Sequence, residues 1–410
     1  MSITATRMAT PQCGSPISPN SAGLLTDRLR IAYVHDGLYP YFKGGAERRF
    51  SQVAQRLSAR HDVTYVTWHY WDGPPCTEQS GIRFIGVGKP HAFYGGDGKR
   101  TVGEALAFAR SVAPVLQRED FDLIDCCATT IPTLYVARLL ACFRRTALIA
   151  TWHEYWGDYW ASYLPERRLL ARMARTVEAK SVPLADSIIA VSEFTAAKLR
   201  ERAPKTPVHT IENGVSLSEV EAVEPDPGAP DLLFAGRLID DKKVDWLLEA
   251  VARISPAWPS LTCGIIGEGP ERSHLEAQAQ ALGITDRVRF YGFVEEPKLI
   301  ALLKGTQVFV LPSIREGFGM AVVEAQACGA VPIVVRAPYN AATAQVRHEQ
   351  DGLISEADVE SLAGAIVRLV ADEPLRRELS ANARISAGSR DWQLISNQIE
   401  EVYRSVVPQR

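Results

Sequence analysis

From Arg30 onward, short apolar runs alternate with longer stretches of helical periodicity, and this alternation constrains the fold more than any other feature. The runs at 31–35, 63–67, 123–125, 148–151, 187–191 and 208–211 are short and mostly apolar. Such runs are expected to be strands buried on both faces of a parallel sheet. Between them, 46–59, 102–116 and 167–180 repeat apolar residues three and four apart, the period of a helix with one buried face. Residues 224–230, with three prolines and a glycine, break the pattern as a linker does. A second series follows, with strands expected at 232–235, 262–266, 288–291, 308–311 and 333–335 and helices at 244–254, 271–282 and 360–370. Two doubly wound α/β domains are therefore expected, with ligands at the carboxyl ends of the strands and in the cleft between domains. The expected boundaries are a disordered tail at 1–27, a first domain at 28–222, a second at 223–388 and a terminal helix at 389–410.

A chain of 410 residues exceeds what one core supports, which agrees with two domains. The net charge of −3 argues against nucleic acid as a partner of the whole chain. Seven cysteines, an odd number with no C-x-x-C, argue against a zinc site or a disulfide framework and fit a reducing cytoplasm. No run reaches the roughly twenty apolar residues that span a bilayer. A cytoplasmic protein, at most peripheral to a membrane, is expected.

The densest signal for chemistry lies at 312–324. An apolar run ends at Leu311, Gly317 and Gly319 bracket a turn around Phe318, and an apolar helix is expected from Met320 to Cys328. Glycine lets backbone approach a ligand closely, and a helix N-terminus offers free N–H groups and a positive dipole end. Glu316 precedes the helix and Glu324 lies more than a turn inside it, so both carboxylates can flank one ligand. Amides for a diphosphate and carboxylates for hydroxyls suit a sugar nucleotide.

This stretch resembles the E-x7-E signature of the retaining glycosyltransferases of family 4, which have the GT-B fold of two Rossmann-like domains. Further segments match that family in order. Arg237, after Gly236, and Lys242 correspond to the cations that neutralise the donor diphosphate; the family has Lys-Gly where this chain has Lys242-Lys243. Gly267 and Gly269 match a turn lining the nucleotide cleft. Phe293 and Val294 belong to a segment whose backbone reads the base. The resemblance places His153 near the transferred sugar and Gly44 and Gly45 beside donor phosphates or acceptor. A plain βα turn explains the glycine pair as well, and no G-x-G-x-x-G is present. Ser192 and Asn213-Gly214 match landmarks of the family and support the alignment more than the chemistry.

The resemblance implies metal-independent transfer of a hexosyl group to an acceptor hydroxyl with retention, and no cofactor beyond the nucleotide sugar. Glu316 would orient the sugar, Glu324 would hold ribose, and Arg237 and Lys242 would stabilise the departing diphosphate. Asp120 and Asp122 imitate a metal-binding D-x-D but sit between a helix and a strand with no histidine nearby, so no metal is expected. Two alternatives stay open: a nucleotide-sugar 2-epimerase of the same fold, and a non-catalytic nucleotide-sugar-binding partner. The aromatics from Trp152 to Tyr163 suit a sugar or amphipathic acceptor, or else pack as a local cluster. Arginines including Arg168, Arg172 and Arg175 share one helical face beside them. A sugar-containing or lipid-linked acceptor and a contact with the inner face of a membrane are the corresponding expectations.

Overall fold

The structure, a computed structural model, describes residues 28–93 and 101–408. The tail expected at 1–27 lies outside the described residues. The chain forms two compact units. The first takes in residues up to Ala190, Lys198–His209 and the chain from Ser396; the second takes in Val191–Ala197 and Thr210–Ile395.

The first unit is built on an eight-stranded sheet of β1 (Arg30–Val34), β2 (Asp62–Thr67), β3 (Cys76–Gln79), β4 (Ile82–Gly86), β5 (Leu123–Cys127), β6 (Ala147–Trp152), β7 (Ser187–Ala190) and β8 (Val208–Thr210). The order is β3-β4-β2-β1-β5-β6-β7-β8. Strands β5 and β6 are buried at every position, which is why they read as apolar runs. The edge strand β3 runs antiparallel to β4 and was not foreseen. Its sequence, Cys-Thr-Glu-Gln, is polar and half exposed, and only Ser80-Gly81, both at positive φ, announces a tight hairpin. Helices α1 (Gly45–Ser58), α2 (Val102–Arg118), α3 (Ile131–Arg144), α4 (Tyr159–Tyr163) and α5 (Arg168–Ser181) belong to this unit, and α6 (Glu193–Arg202) follows β7. Helix α3 was also not foreseen. It is apolar all round, burying Leu134, Ala137 and Ala141 while exposing Leu139 and Phe143, so its periodicity is weak.

In the second unit, α7 (Leu217–Ala222) precedes a six-stranded, wholly parallel sheet. Its strands are β9 (Leu232–Ala235), β10 (Cys263–Ile266), β11 (Val288–Gly292), β12 (Val308–Leu311), β14 (Val331–Val335) and β16 (Leu353–Ser355), in the order β11-β10-β9-β12-β14-β16. A separate two-residue parallel pair joins β13 (Arg315–Glu316) to β15 (Tyr339–Asn340). The helices are α8 (Val244–Ile254), α9 (Arg272–Ala281), α10 (Glu296–Gly305), α11 (Met320–Cys328), α12 (Val359–Ala371) and α13 (Glu373–Gly388). Val308, Phe309, Val310 and Leu311 of β12 are at most 1% exposed, and each such side chain contributes about 1.5–3 kcal/mol by leaving water.

The last helix, α14 (Trp392–Val406), begins in the second unit and runs on with the first. In the second unit, Trp392 is buried against Gly214, where a Cβ would come within 2.8 Å of the indole. In the first, the Tyr403 hydroxyl donates to Asp125 Oδ2 at 2.5 Å and lies 3.2 Å from the Tyr33 hydroxyl. Thr151 donates to the same carboxylate at 2.8 Å. These groups and Arg49 line a small cavity of about the size one water molecule needs. Burial raises the Asp125 carboxyl to about 6, against the lowering effect of its hydrogen bonds with Tyr403 and Thr151. Cys126, Cys127, Cys142, Cys263 and Cys328 are free thiols. Cys76 is disulfide-bonded, which the odd count and the spacings did not foretell.

Candidate functional site

The carboxyl ends of three adjacent strands in the second unit are tied together through backbone. After β9, Gly236 N donates to the Ile266 carbonyl at 3.0 Å and Leu238 N to the Glu268 carbonyl at 2.9 Å. After β10, Gly267 N donates to the Gly292 carbonyl at the end of β11, at 2.8 Å. This closeness explains the glycines. Gly267 has φ 132°, and a Cβ there would lie 1.9 Å from the Gly236 carbonyl oxygen. One on Gly269 would lie 2.1 Å from that of Leu238. The two glycines therefore serve loop-on-loop packing that sets Arg237, itself exposed, and Glu268 at the rim. Phe293 is half exposed beyond β11, followed by the partly buried Val294, and the Arg289 guanidinium lies 4.6 Å over the Tyr291 ring.

Lys242 ends a 3-10 turn, Asp240–Lys242, and its Nζ pairs with Glu316 Oε1 at 2.5 Å. Both side chains are largely buried, at 17% and 13% exposure. The neighbouring residues pair in the opposite sense: Arg315 Nε donates to Asp241 Oδ2 at 2.8 Å, and Ile314 N donates to the Asp241 carbonyl at 2.9 Å. Two consecutive residues of one loop thus clasp two of the other with alternating charge. Lys243, standing where the resembling family has glycine, takes the left-handed conformation at φ 47°, ψ 43° and starts α8. Its ammonium pairs with Asp240, leaving Lys242 as the lysine that reaches Glu316.

Glu316 sits on β13 rather than in an open turn. The buried Asn340 of β15 pins this segment, donating through Nδ2 to the carbonyls of Ser313 at 2.8 Å and Val335 at 2.7 Å. Its Oδ1 accepts from Ala342 N. Ser192 Oγ donates to the Gly317 carbonyl at 3.0 Å. Gly319 caps α11 at φ 95°, ψ 53°, where a Cβ would meet that of Ala342 at 2.6 Å. Only glycine fits there without a shift. Phe318 is buried, Met320 is partly buried, and α11 has no acidic residue in its first turn. Its N-terminal amides and dipole are therefore available to an anion. Glu324 lies one turn further on and is partly buried.

In the first unit, Gly44 is the N-cap of α1 and Gly45 its first residue. The carboxylate at that N-terminus is the chain's own Glu47: a Cβ on Gly44 would lie 2.3 Å from Glu47 Oε2, and one on Gly37 2.5 Å from Oε1. Glu47 Oε1 is also 3.8 Å from Nε2 of the buried His35, which lies beside Asp36. His153 follows β6, and its Nε2 is buried with no hydrogen-bond partner among the described residues. Burial, then the charge of Arg49, holds this imidazole well below its ordinary pKa, so it is neutral at pH 7. Trp156, Trp160 and Tyr163 pack on one another with centroids 4.6–6.0 Å apart, and Trp160 donates to Glu178. Among the described residues, no three His, Cys, Asp or Glu side chains converge as a metal-binding group. Asp120 pairs with Arg144, and Asp122 with Arg30.

Two Rossmann-like sheets, with charged and glycine-rich loops at strand ends in the second, are the architecture of GT-B proteins. The model of the group 1 glycosyl transferases matches residues 218–386, and that of glycosyltransferase family 4 matches 43–219. The glycogen synthase of Mycobacterium tuberculosis is 31% identical over 399 residues, covering 92% of this chain and 94% of the relative. The D-inositol 3-phosphate glycosyltransferase of Salinispora tropica is 32% identical over 257 residues, 56% of this chain and 53% of its own. Among solved structures, the sucrose-phosphate synthase of Thermosynechococcus elongatus superposes with a TM-score of 0.78 at 23% identity, over 92% of this chain and 99% of its own. HepE of Anabaena in complex with UDP-glucose gives 0.71 at 20% identity, over 92% and 100%. The chain belongs to the group 1, family 4 glycosyltransferases and has the GT-B fold. It is an enzyme that moves a hexosyl group from a nucleotide sugar to an acceptor.

Proposed function

We propose that the donor is a nucleoside-diphosphate hexose held by the second unit, with the Lys242–Glu316 pair beside the N-terminus of α11 as its catalytic centre. The observation that carries this reading is the pair itself: a largely buried ammonium and carboxylate, 2.5 Å apart, set by two adjoining loops and by the Gly319 turn. The α11 amides, Arg237 and Lys242 take the diphosphate and stabilise the negative charge that grows on it as the glycosidic bond breaks. Glu316 accepts hydrogen bonds from sugar hydroxyls and holds the ring in the reactive pose, while Glu324 binds ribose. Gly267, Gly269, Phe293 and Val294 line the place of the base. The UDP-glucose complex of HepE supports a uridine nucleotide as the donor to test first.

In the first unit, the neutral His153 offers its Nε2 to a sugar hydroxyl, which a protonated imidazole would do only as a donor. Gly44 and Gly45 hold Glu47 where it meets substrate hydroxyls. The acceptor is a sugar-containing or lipid-linked molecule, and the enzyme works in the cytoplasm at the inner face of a membrane. No metal takes part, since fixed cations and amides carry the phosphate charge.

Glu316→Gln is expected to keep nucleoside-diphosphate affinity within a few fold and to lower kcat at least ~100-fold, a loss of about 2.7 kcal/mol in transition-state stabilisation. Turnover should survive EDTA. Near-normal kcat in the variant would reject Glu316 as the orienting carboxylate. Free epimerised sugar released without any acceptor would instead favour a 2-epimerase.

A further inference from the structure

The first unit has an exposed apolar face that carries none of the residues assigned to the transfer reaction. Helices α3 and α5 pack together, and each turns large apolar side chains outward at every fourth position. These are Tyr135, Leu139 and Phe143 on α3, and Leu169, Met173 and Val177 on α5, from 36% to 80% exposed. Residues four apart share one face of a helix. The Tyr135 hydroxyl donates to the Val177 carbonyl at 2.9 Å, so the two stripes adjoin. Soluble proteins scatter such residues singly, and a contiguous apolar patch marks a surface that binds something.

The exposed charges that the two helices themselves carry are of one sign. Arg168 and Arg172 are exposed on α5 and, among the described residues, form no ion pair. Arg138, Arg144 and Arg175 are each occupied by an aspartate, Asp186, Asp120 and Asp158 respectively. Helix α3 has no acidic residue. The one carboxylate of α5, Glu178, is buried and accepts from the amides of Trp156 and Gly157 and the indole of Trp160, while Glu166 lies just before the helix. The partly buried aromatics of α4 pack beside α5.

Apolar stripes beside unpaired guanidinium groups, with Trp and Tyr at their edge, match the lipid–water boundary. Apolar chains enter the acyl border, arginines reach headgroup phosphates along their apolar stems, and amphipathic rings sit between. A second copy fits less well: a two-fold interface on this patch would crowd the unpaired Arg168 and Arg172 against like charge from the other copy. We propose that the α3–α5 face docks the enzyme reversibly on a bilayer containing anionic phospholipid. This gives the membrane-face reading a surface and is independent of the chemistry assigned to Glu316.

Co-sedimentation with phosphatidylcholine vesicles, with and without phosphatidylglycerol, tests it on the full chain. The comparison pairs wild type with L139S/F143S and R168E/R172E. Nucleoside-diphosphate binding, unfolding temperature and light-scattering mass are measured on the same samples. The wild type is expected to sediment only with anionic vesicles and to be released as salt rises. Each double variant should partition at least about tenfold more weakly, with nucleotide affinity and unfolding temperature unchanged. Absence of sedimentation at low salt, or variants that sediment like wild type, would overturn the docking. So would a wild-type dimer that L139S/F143S dissociates. Loss of nucleotide binding beside intact vesicle binding would count against the donor reading alone.

Discussion

Arg315 and Asp241 touch no expected substrate group, yet each is next in sequence to a member of the Lys242–Glu316 pair and bonded to its counterpart at 2.8 Å. Both are mostly buried, at 17% and 21% exposure, so their bond fixes the two loops more firmly than a surface pair would. They act as positioning residues. Arg315→Ala is expected to lower kcat roughly tenfold with KM little changed, Arg315→Lys to recover part of it, and Asp241→Asn to add little to Arg315→Ala. Independent, multiplying losses in that double variant, or a change confined to KM, would show that the clasp does not position Glu316. The E-x7-E spacing, the glycines and the lysine pair were legible in the sequence because each signal is local. The supports were not. Asn340 reaches back 27 residues, Arg315 meets Asp241 across 74 and Ser192 meets Gly317 across 125. Nothing in a local pattern marks such partners. Lys243 shows the reverse case: it stands where the resembling family has glycine and takes the left-handed conformation at a cost of about 1–2 kcal/mol.

Among the elements, strands buried on both faces were readable as apolar runs, whereas β3, half exposed and polar, and α3, apolar on every side, lacked the contrast that periodicity needs. The C-terminal helix shows how one element reaches a unit's core. Tyr403 on α14 donates to Asp125, whose carboxyl burial raises from 3.8 to about 6. A raised folded-state pKa means that the stability tied to the protonated form is full below about pH 4 and is lost as pH rises through about 6. Tyr403→Phe removes a bond that favours the ionised form, so it should cost about 1.5–3 kcal/mol, more at pH 8 than at pH 4. Denaturant melts at the two pH values measure this, and a penalty that shrinks with rising pH would reject the assignment of charge to Asp125.

At the scale of the whole molecule, two units with separate sheets need not unfold as one. A nucleoside diphosphate held by the second is expected to stabilise it by about 2.7 kcal/mol at a hundredfold excess over Kd. Hydrogen exchange should then slow at 236–242, 267–270 and 316–324. Protection absent from all three segments would place the nucleotide elsewhere. The path of the chain through these units also bears on how it is made. The first unit's sheet is complete in sequence by β8, but the hydroxyl that meets its buried Asp125 belongs to Tyr403, with most of the second unit in between. At about 5–20 residues per second, a ribosome needs roughly ten to forty seconds to bridge that gap. Until Tyr403 is made, Asp125 lacks the hydroxyl that meets it in the finished chain, whereas the second unit is complete in sequence by Ile395.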